Sequence, residues 1–447
     1  MKFNTIYRPA MAVAVSLAIG FGTTACIRDY TSDYVYSVSN STGQVNAYAV
    51  DYQSGVLTQI SGSPFSTNLT NPSSVIAAPN GKTIYIIGGS QNANVEVMSV
   101  GSDGKLYGEA TPALYGQATY PTAAAIDSTG TNLYVAYTYQ AGYTPASPGP
   151  GGIAIYPIAA DGTLGTPTNV NVGYAPVAIA TSAPTCTATP ILGTNATPNC
   201  VVLGSSGTTN NGTNQSFVYV VDEETTIAPT SIGAPTTPAT VGTPNILGFV
   251  ENPSNGALTP IQGTTPVVTG TTTLYGWNAG VSPSAIAIDP TGKYVYVTDK
   301  AQNEVYGYGI SNNTTGALTG LTTSPYPTGQ YPLAITIEPR GKYVYVANYN
   351  SSTVSSYSLN LPNGSLGASA GSTFTTTTGP TCVTVDPALG IYLYTSDYLD
   401  ASISGGQLSP NTGALSAVQT SFFPSVAQPI CLVAVSNGAH AVQETQP

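Results

Sequence analysis

Along most of this chain, short apolar runs alternate with turns rich in Gly, Pro, Asn and Asp, and the alternation recurs. Seven times a proline opens an apolar run: Pro72, Pro121, Pro176, Pro283, Pro332, Pro380 and Pro429. Seven times a Gly-x-Leu turn occurs, centred on Gly55, Gly104, Gly162, Gly256, Gly316, Gly364 and Gly413. The unit that starts at Pro283 is the clearest. Residues 284–288 form an apolar run with small side chains, fit for a strand packed on both faces. Asp289-Pro290-Thr291-Gly292-Lys293 is a tight turn, where proline presets φ and glycine permits a positive φ. Residues 294–298 alternate aromatic and β-branched side chains, the pattern of a second strand. A third strand is predicted over 304–310, and Gly316-Ala317-Leu318 turns into a fourth. No long stretch after the N-terminal leader shows helical periodicity.

Pro72 and Pro121 are 49 residues apart, as are Pro283 and Pro332, and Pro380 follows 48 residues later. A unit of about 50 residues with four short strands cannot bury its own core, so such units must pack against one another. The interval of 107 residues from Pro176 to Pro283 holds one second strand (217–221) and one Gly-Ala-Leu turn at Gly256. It is one enlarged unit, its excess being low-complexity Thr/Pro/Gly/Asn sequence suited to loops. The first Gly-x-Leu turn precedes the first strand-opening proline, and the last proline follows the last such turn. The N-terminal unit therefore lacks an inner strand, which the C-terminus supplies. The fold predicted is all-β, a seven-bladed β-propeller of four-stranded antiparallel blades. Val433-Ala434-Val435 should pair beside Tyr34-Val35-Tyr36 and leave no free sheet edge at the join. The ring spans residues 34–438, and 439–447 form a tail.

Composition agrees: 31 tyrosines against 8 phenylalanines suit half-buried pleated surfaces. Charged residues are only 6% of the chain, so surface polarity comes from Ser, Thr and Asn. The net charge of −11 repels phosphate backbones, which excludes nucleic acid as a partner and leaves a cation, a sugar-derived molecule or glycan, or a protein. Residues 1–25 have the form of an export signal, with Lys2 and Arg8 before an apolar stretch too short for a membrane span. Thr23-Thr24-Ala25-Cys26 resembles a bacterial lipobox, in which Cys26 carries the lipid and 26–33 act as a tether. On that reading the protein sits in the bacterial envelope as a monomer, held to the outer membrane or cell surface only by its anchor. The other reading is a plain secretory cut after Ala25, with Cys26 incidental.

Four cysteines remain in a compartment that permits disulfides. Cys186 and Cys200 stand in one Thr/Pro/Asn-rich insertion and are expected to pin its loop. Cys382 and Cys431 stand two residues after Pro380 and Pro429, the same place in successive units. A bridge there would clamp the last full unit to the C-terminal strand if the Cα atoms lie within about 7 Å; otherwise the two are buried thiols.

The run Ile288-Asp289-Pro290-Thr291-Gly292-Lys293-Tyr294-Val295-Tyr296-Val297 resembles the YVTN repeats of seven-bladed propellers. So does Glu338-Pro339-Arg340-Gly341-Lys342-Tyr343-Val344-Tyr345-Val346-Ala347-Asn348. With the Thr-Gly-Ala-Leu segments and Ser63-Pro64-Phe65, the chain is similar to the lactonase-type propeller family typified by 6-phosphogluconolactonase, over roughly residues 33 to 438. The resemblance implies sugar-lactone hydrolysis for some members, at sites using histidine, arginine and glutamate near the central channel. This chain departs from that pattern. Its one histidine, His440, lies beyond the last strand; Arg28 is in the tether; Arg340, Lys82, Lys293 and Lys342 sit in turns. No basic residue then stands out as a clamp for phosphate or carboxylate, and no catalytic residue is carried over.

The loops after strands two and four share one face of such a ring. The second strands end there in Asp222, Asp299, Asn348 and Asp397, oxygen ligands suited to Ca²⁺, the one cofactor considered. Asp and Asn also end strands simply by accepting bonds from nearby backbone N–H groups. Tyr120, Tyr174 and Tyr331 precede inner strands on that face, and Tyr275 and Trp277 lie in an extra segment. These aromatics suit sugar rings, or they pack between blades. Sequence alone thus favours a non-catalytic module that binds a glycan or protein, with a sugar-lactone hydrolase, unaided or assisted by metal through the strand-end acids, as the alternative.

Overall fold

A computed structural model describes residues 31–88, 93–108, 113–115, 119–182, 215–225, 241–252, 254–270, 272–311 and 315–438. The export signal, Cys26, Cys186, Cys200 and His440 lie outside the described residues. Within them, seven antiparallel sheets form a closed β-propeller. Six of the seven inner strands open on the proline read from the sequence, as Pro72–Ala77 in the second blade and Pro380–Val385 in the seventh do; in the third blade the strand Thr119–Ile126 begins two residues before Pro121. At each of these prolines the register with the second strand slips by one residue. Proline, which has no N–H to give, is tolerated at such a bulged strand start.

The first blade closes the ring. Its inner strand is Pro429–Ser436, which pairs with Thr31–Ser39 in the register Tyr34↔Val435, Val35↔Ala434 and Tyr36↔Val433. The enlarged unit is a single fourth blade. It is built from Pro176–Thr181, Ser216–Asp222, Asn245–Glu251 and Leu258–Pro260, with an added hairpin of Thr265–Val268 and Thr273–Asn278. Cys382 and Cys431 form a disulfide, Cα atoms 4.9 Å apart, between the inner strands of the seventh and first blades.

Neighbouring blades are joined by one contact repeated around the whole ring. The third residue of each second-strand motif is a buried tyrosine: Tyr36, Tyr85, Tyr134, Tyr219, Tyr296, Tyr345 and Tyr394. Each hydroxyl donates to the carbonyl of the Gly-x-Leu glycine in the next blade, at 2.6–3.3 Å. Tyr394 to Gly55 completes the circle across the join of the chain ends. All seven turn glycines have positive φ. At Gly55 a Cβ would overlap the ring of Tyr392, the first residue of the neighbouring motif. Glycine thus serves both the left-handed turn and the close approach. Apolar side chains of adjacent sheets fill the space between blades, as Val295, Val297 and Phe217 do between the fourth and fifth.

Candidate functional site at the mouth of the ring

The inner strands surround the central axis, so the residue before each opening proline borders one mouth of the ring. In six blades this residue is left-handed: Asn71, Tyr120, Ala175, Tyr331, Gly379 and Gln428 have φ of 49° to 75°. Five of the six are not glycine, a conformation that costs of order 1–3 kcal/mol at each. Across from it stands the first residue past the second strand, whose backbone N–H donates to its carbonyl. Asn40 reaches Gln428, Glu223 reaches Ala175, Lys300 reaches Ser282, Tyr349 reaches Tyr331, and Tyr398 reaches Gly379, at 2.9–3.0 Å. One repeat position therefore presents Glu223, Lys300, Tyr349 and Tyr398 from successive blades, the fourth to the seventh.

Glu223 and Lys300 meet across the boundary of the fourth and fifth blades, with Nζ 2.7 Å from Oε1. Their side chains are 10% and 19% exposed, so the pair is mostly shielded yet reachable from the mouth. Ser282 Oγ donates to the same Oε1. On the sixth blade, at the same mouth, the rings of Tyr331 and Tyr349 lie 6.1 Å apart. Tyr349 packs over Gly379, where a Cβ would come within 2.9 Å of its ring edge.

Behind Glu223 lies a second acidic pair. Asp222 accepts the Gly173 N–H at 2.9 Å, and Glu224 accepts from the Tyr174 N–H and Asn245 Nδ2 at 3.2 Å each. Both are buried. Burial pushes Glu224 up to about 7. Burial, then repulsion from Glu224, holds Asp222 well above the usual carboxylate range. Asp222 Oδ1 has no hydrogen-bond partner among the described residues.

Of the residues singled out from sequence, Tyr331 stands at the mouth with its carbonyl accepting the Tyr349 N–H, and Tyr120 borders it with its ring edge-on to Tyr139 at 5.7 Å. Tyr174 is half-buried on the loop that covers Glu224. Tyr275 is 40% exposed on the added hairpin of the fourth blade. Trp277 lies in the core between the fourth and fifth blades, with Ile246, Val297 and Tyr308. Asp222, Asp299, Asn348 and Asp397 are fully buried, each bonded within its own blade or the loop leading into it. Asp299 accepts the N–H groups of Val281, Ser282, Ala301 and Gln302. Asn348 bonds Thr328, Thr353 and Ser355. Asp397 accepts from Thr377, Thr395 and Ser404. Among the described residues no three His, Cys, Asp or Glu side chains are grouped to hold a metal ion.

Lys300, which sequence reasoning does not single out, brings a cation to the mouth, already paired with Glu223. It follows Asp299 directly, in a strand-end loop. The signal was present: Asp222-Glu223 and Asp299-Lys300 put opposite charges at one repeat position in adjacent units.

The sequence matches the family described as lactonase, 7-bladed beta-propeller, over residues 25–178 and 244–385. No protein of curated function matches it. Among solved structures it resembles the periplasmic gluconolactonase of Pseudomonas aeruginosa, at 14% identity and TM-score 0.59, covering 92% of this chain and 99% of that one. It also resembles a Bacteroides uniformis protein provisionally described as a 6-phosphogluconolactonase, at 15% identity and TM-score 0.61, covering 91% and 100%. At such identities the likeness shows the fold alone.

Proposed function

The chain belongs to the seven-bladed β-propeller lactonase family, and from that premise we propose that it opens the ester ring of a sugar lactone at the mouth lined by Glu223 and Lys300. The reading is carried by one observation: an ion pair shielded from solvent and bridging two blades, at a mouth that Tyr331 and Tyr349 also border. Sequence alone favours a binding module on the charge-poor, Thr/Ser-rich rim and the lack of a general base or phosphate clamp; the Glu223–Lys300 pair supports hydrolysis by putting a carboxylate and a cation at the mouth.

In the proposed reaction, water adds to the lactone carbonyl, and negative charge grows on the carbonyl oxygen. Lys300 is suited to meet that charge in a site of low dielectric. Glu223 takes the proton of the attacking water, since its carboxylate adjoins Lys300 and the mouth. The carbonyl–ring oxygen bond then breaks, Glu223 gives the proton it took to the departing ring oxygen, which leaves as a hydroxyl, and the product is a hydroxy acid whose carboxyl ionises at neutral pH. Tyr331 and Tyr349 offer faces for the sugar ring, and Ser282 holds Glu223 in place.

Lactone opening releases a proton at neutral pH, so a panel of sugar lactones followed with a pH indicator, against the buffer rate, tests the reading. Lys300→Met should lower kcat/KM at least about 100-fold, the scale of losing one group that stabilises an oxyanion. Lys293→Met, in a turn on the opposite face, should leave it within about twofold of the parent rate. No rate above buffer with any lactone would reject hydrolysis.

A further inference from the structure

Six lysines and arginines occur from residue 31 onward: Lys82, Lys105, Lys293, Lys300, Arg340 and Lys342. Five of them stand on turns after first or third strands, at the end of the ring away from the mouth. There Lys105 pairs with Asp103 at 2.8 Å and Arg340 with Glu338 at 2.8 Å. Lys300 alone reaches the mouth, and Glu223 already balances its charge at 2.7 Å. In sequence Lys300 follows Asp299, and its partner Glu223 stands between Asp222 and Glu224, so the one cation of the mouth sits among acidic positions. The mouth is therefore poor in uncompensated positive charge. A phosphate monoester carries up to two negative charges and is normally held by arginine, by free lysine or by a helix N-terminus. The groups this mouth does offer are tyrosine faces and neutral hydrogen-bonding side chains such as Asn40, Asn71 and Gln428. Those suit a neutral, hydroxyl-bearing ring.

Resting on the hydrolase reading, we propose that the substrate is an unphosphorylated sugar lactone, and that phosphorylated lactones are discriminated against by charge. The test measures kcat/KM of the whole protein for glucono-1,5-lactone and for its 6-phosphate. The expected result is at least a 10-fold preference for the neutral lactone. Equal rates, or a preference for the phosphate, would overturn the proposal while leaving the hydrolase reading intact. A second arm uses Gln428→Arg, which adds a cation at an exposed place on the mouth away from Glu223 and Lys300. The ratio of phosphorylated to neutral kcat/KM should rise at least threefold; an unchanged ratio counts against charge as the cause. If neither lactone is opened, hydrolysis fails, and binding of the unreactive gluconolactam and its 6-phosphate, read by calorimetry, decides the charge argument separately. Binding of the neutral lactam alone supports it, whereas binding of the phosphate or of neither ends it.

Discussion

At Tyr296 a single hydroxyl shows how one residue holds two blades. Its oxygen is buried and donates to the Gly364 carbonyl at 2.7 Å. Burial, with the nearby Asp289 charge second, holds the phenol neutral far above its ordinary range, so it is a donor at any working pH. Tyr296→Phe removes the donor and strands a buried carbonyl. It should lower unfolding stability by about 1–3 kcal/mol, the penalty for an unsatisfied buried acceptor, as read from urea denaturation midpoints. A change near zero would mean that water replaces the hydroxyl. Glu223 and Lys300 obey different logic, since their separation sets the charge that a ligand meets rather than the strength of the ring.

At the scale of strands, the inner ring is stitched as well as packed. Hydroxyls one residue past the opening proline reach the proline carbonyl of the next blade: Thr122 to Pro176 and Ser284 to Pro332 at 2.7 Å, and Thr381 to Pro429 at 3.2 Å. The third of these stands beside the Cys382–Cys431 disulfide, which ties the seventh blade to the C-terminal strand that completes the first. A bridge closing a separation of 49 residues removes denatured-state entropy worth about 4 kcal/mol in the loop model. The double substitution Cys382→Ser with Cys431→Ser should therefore lower stability by about 2–4 kcal/mol. The same loss should follow from reductant acting on the parent protein, and an unchanged melting temperature in both would show that the closure strand holds without the bridge.

Taken whole, the molecule buries several carboxyl groups with few cations to offset them. Burial raises Asp33, Glu224 and Glu251 to about 7 and Asp397 to about 6. A carboxyl whose folded pKa lies above its unfolded value binds more protons in the folded state between the two. Its stabilisation is complete below the unfolded value and is lost as pH rises through the folded one. These groups make the ring more stable near pH 5 than near pH 8. Asp51, held below its ordinary range first by its bond from Ser54, opposes the trend only in stronger acid. Melting temperature should fall steadily from about pH 5 to pH 8, and a rise over that interval in differential scanning calorimetry would contradict the assignment.

Much of the fold was legible in the sequence because a propeller encodes its architecture locally. Proline at a strand start, glycine in a left-handed turn and period-two alternation each act within a few residues, and their recurrence reveals blade number, the enlarged fourth blade and the closure register. The pairing of Cys382 with Cys431 was legible for the same reason, since like places in adjacent units approach one another. The site was less so. Glu223 and Lys300 are 77 residues apart, and only the curvature of the ring, which sets one blade's strand end against the next, brings them within 2.7 Å. Trp277 has the composition of a ligand contact, yet the added hairpin turns it into the core between blades. Local chemistry wrote the strands and turns; which side chains share a mouth was decided by the angle at which seven sheets must pack to close a circle.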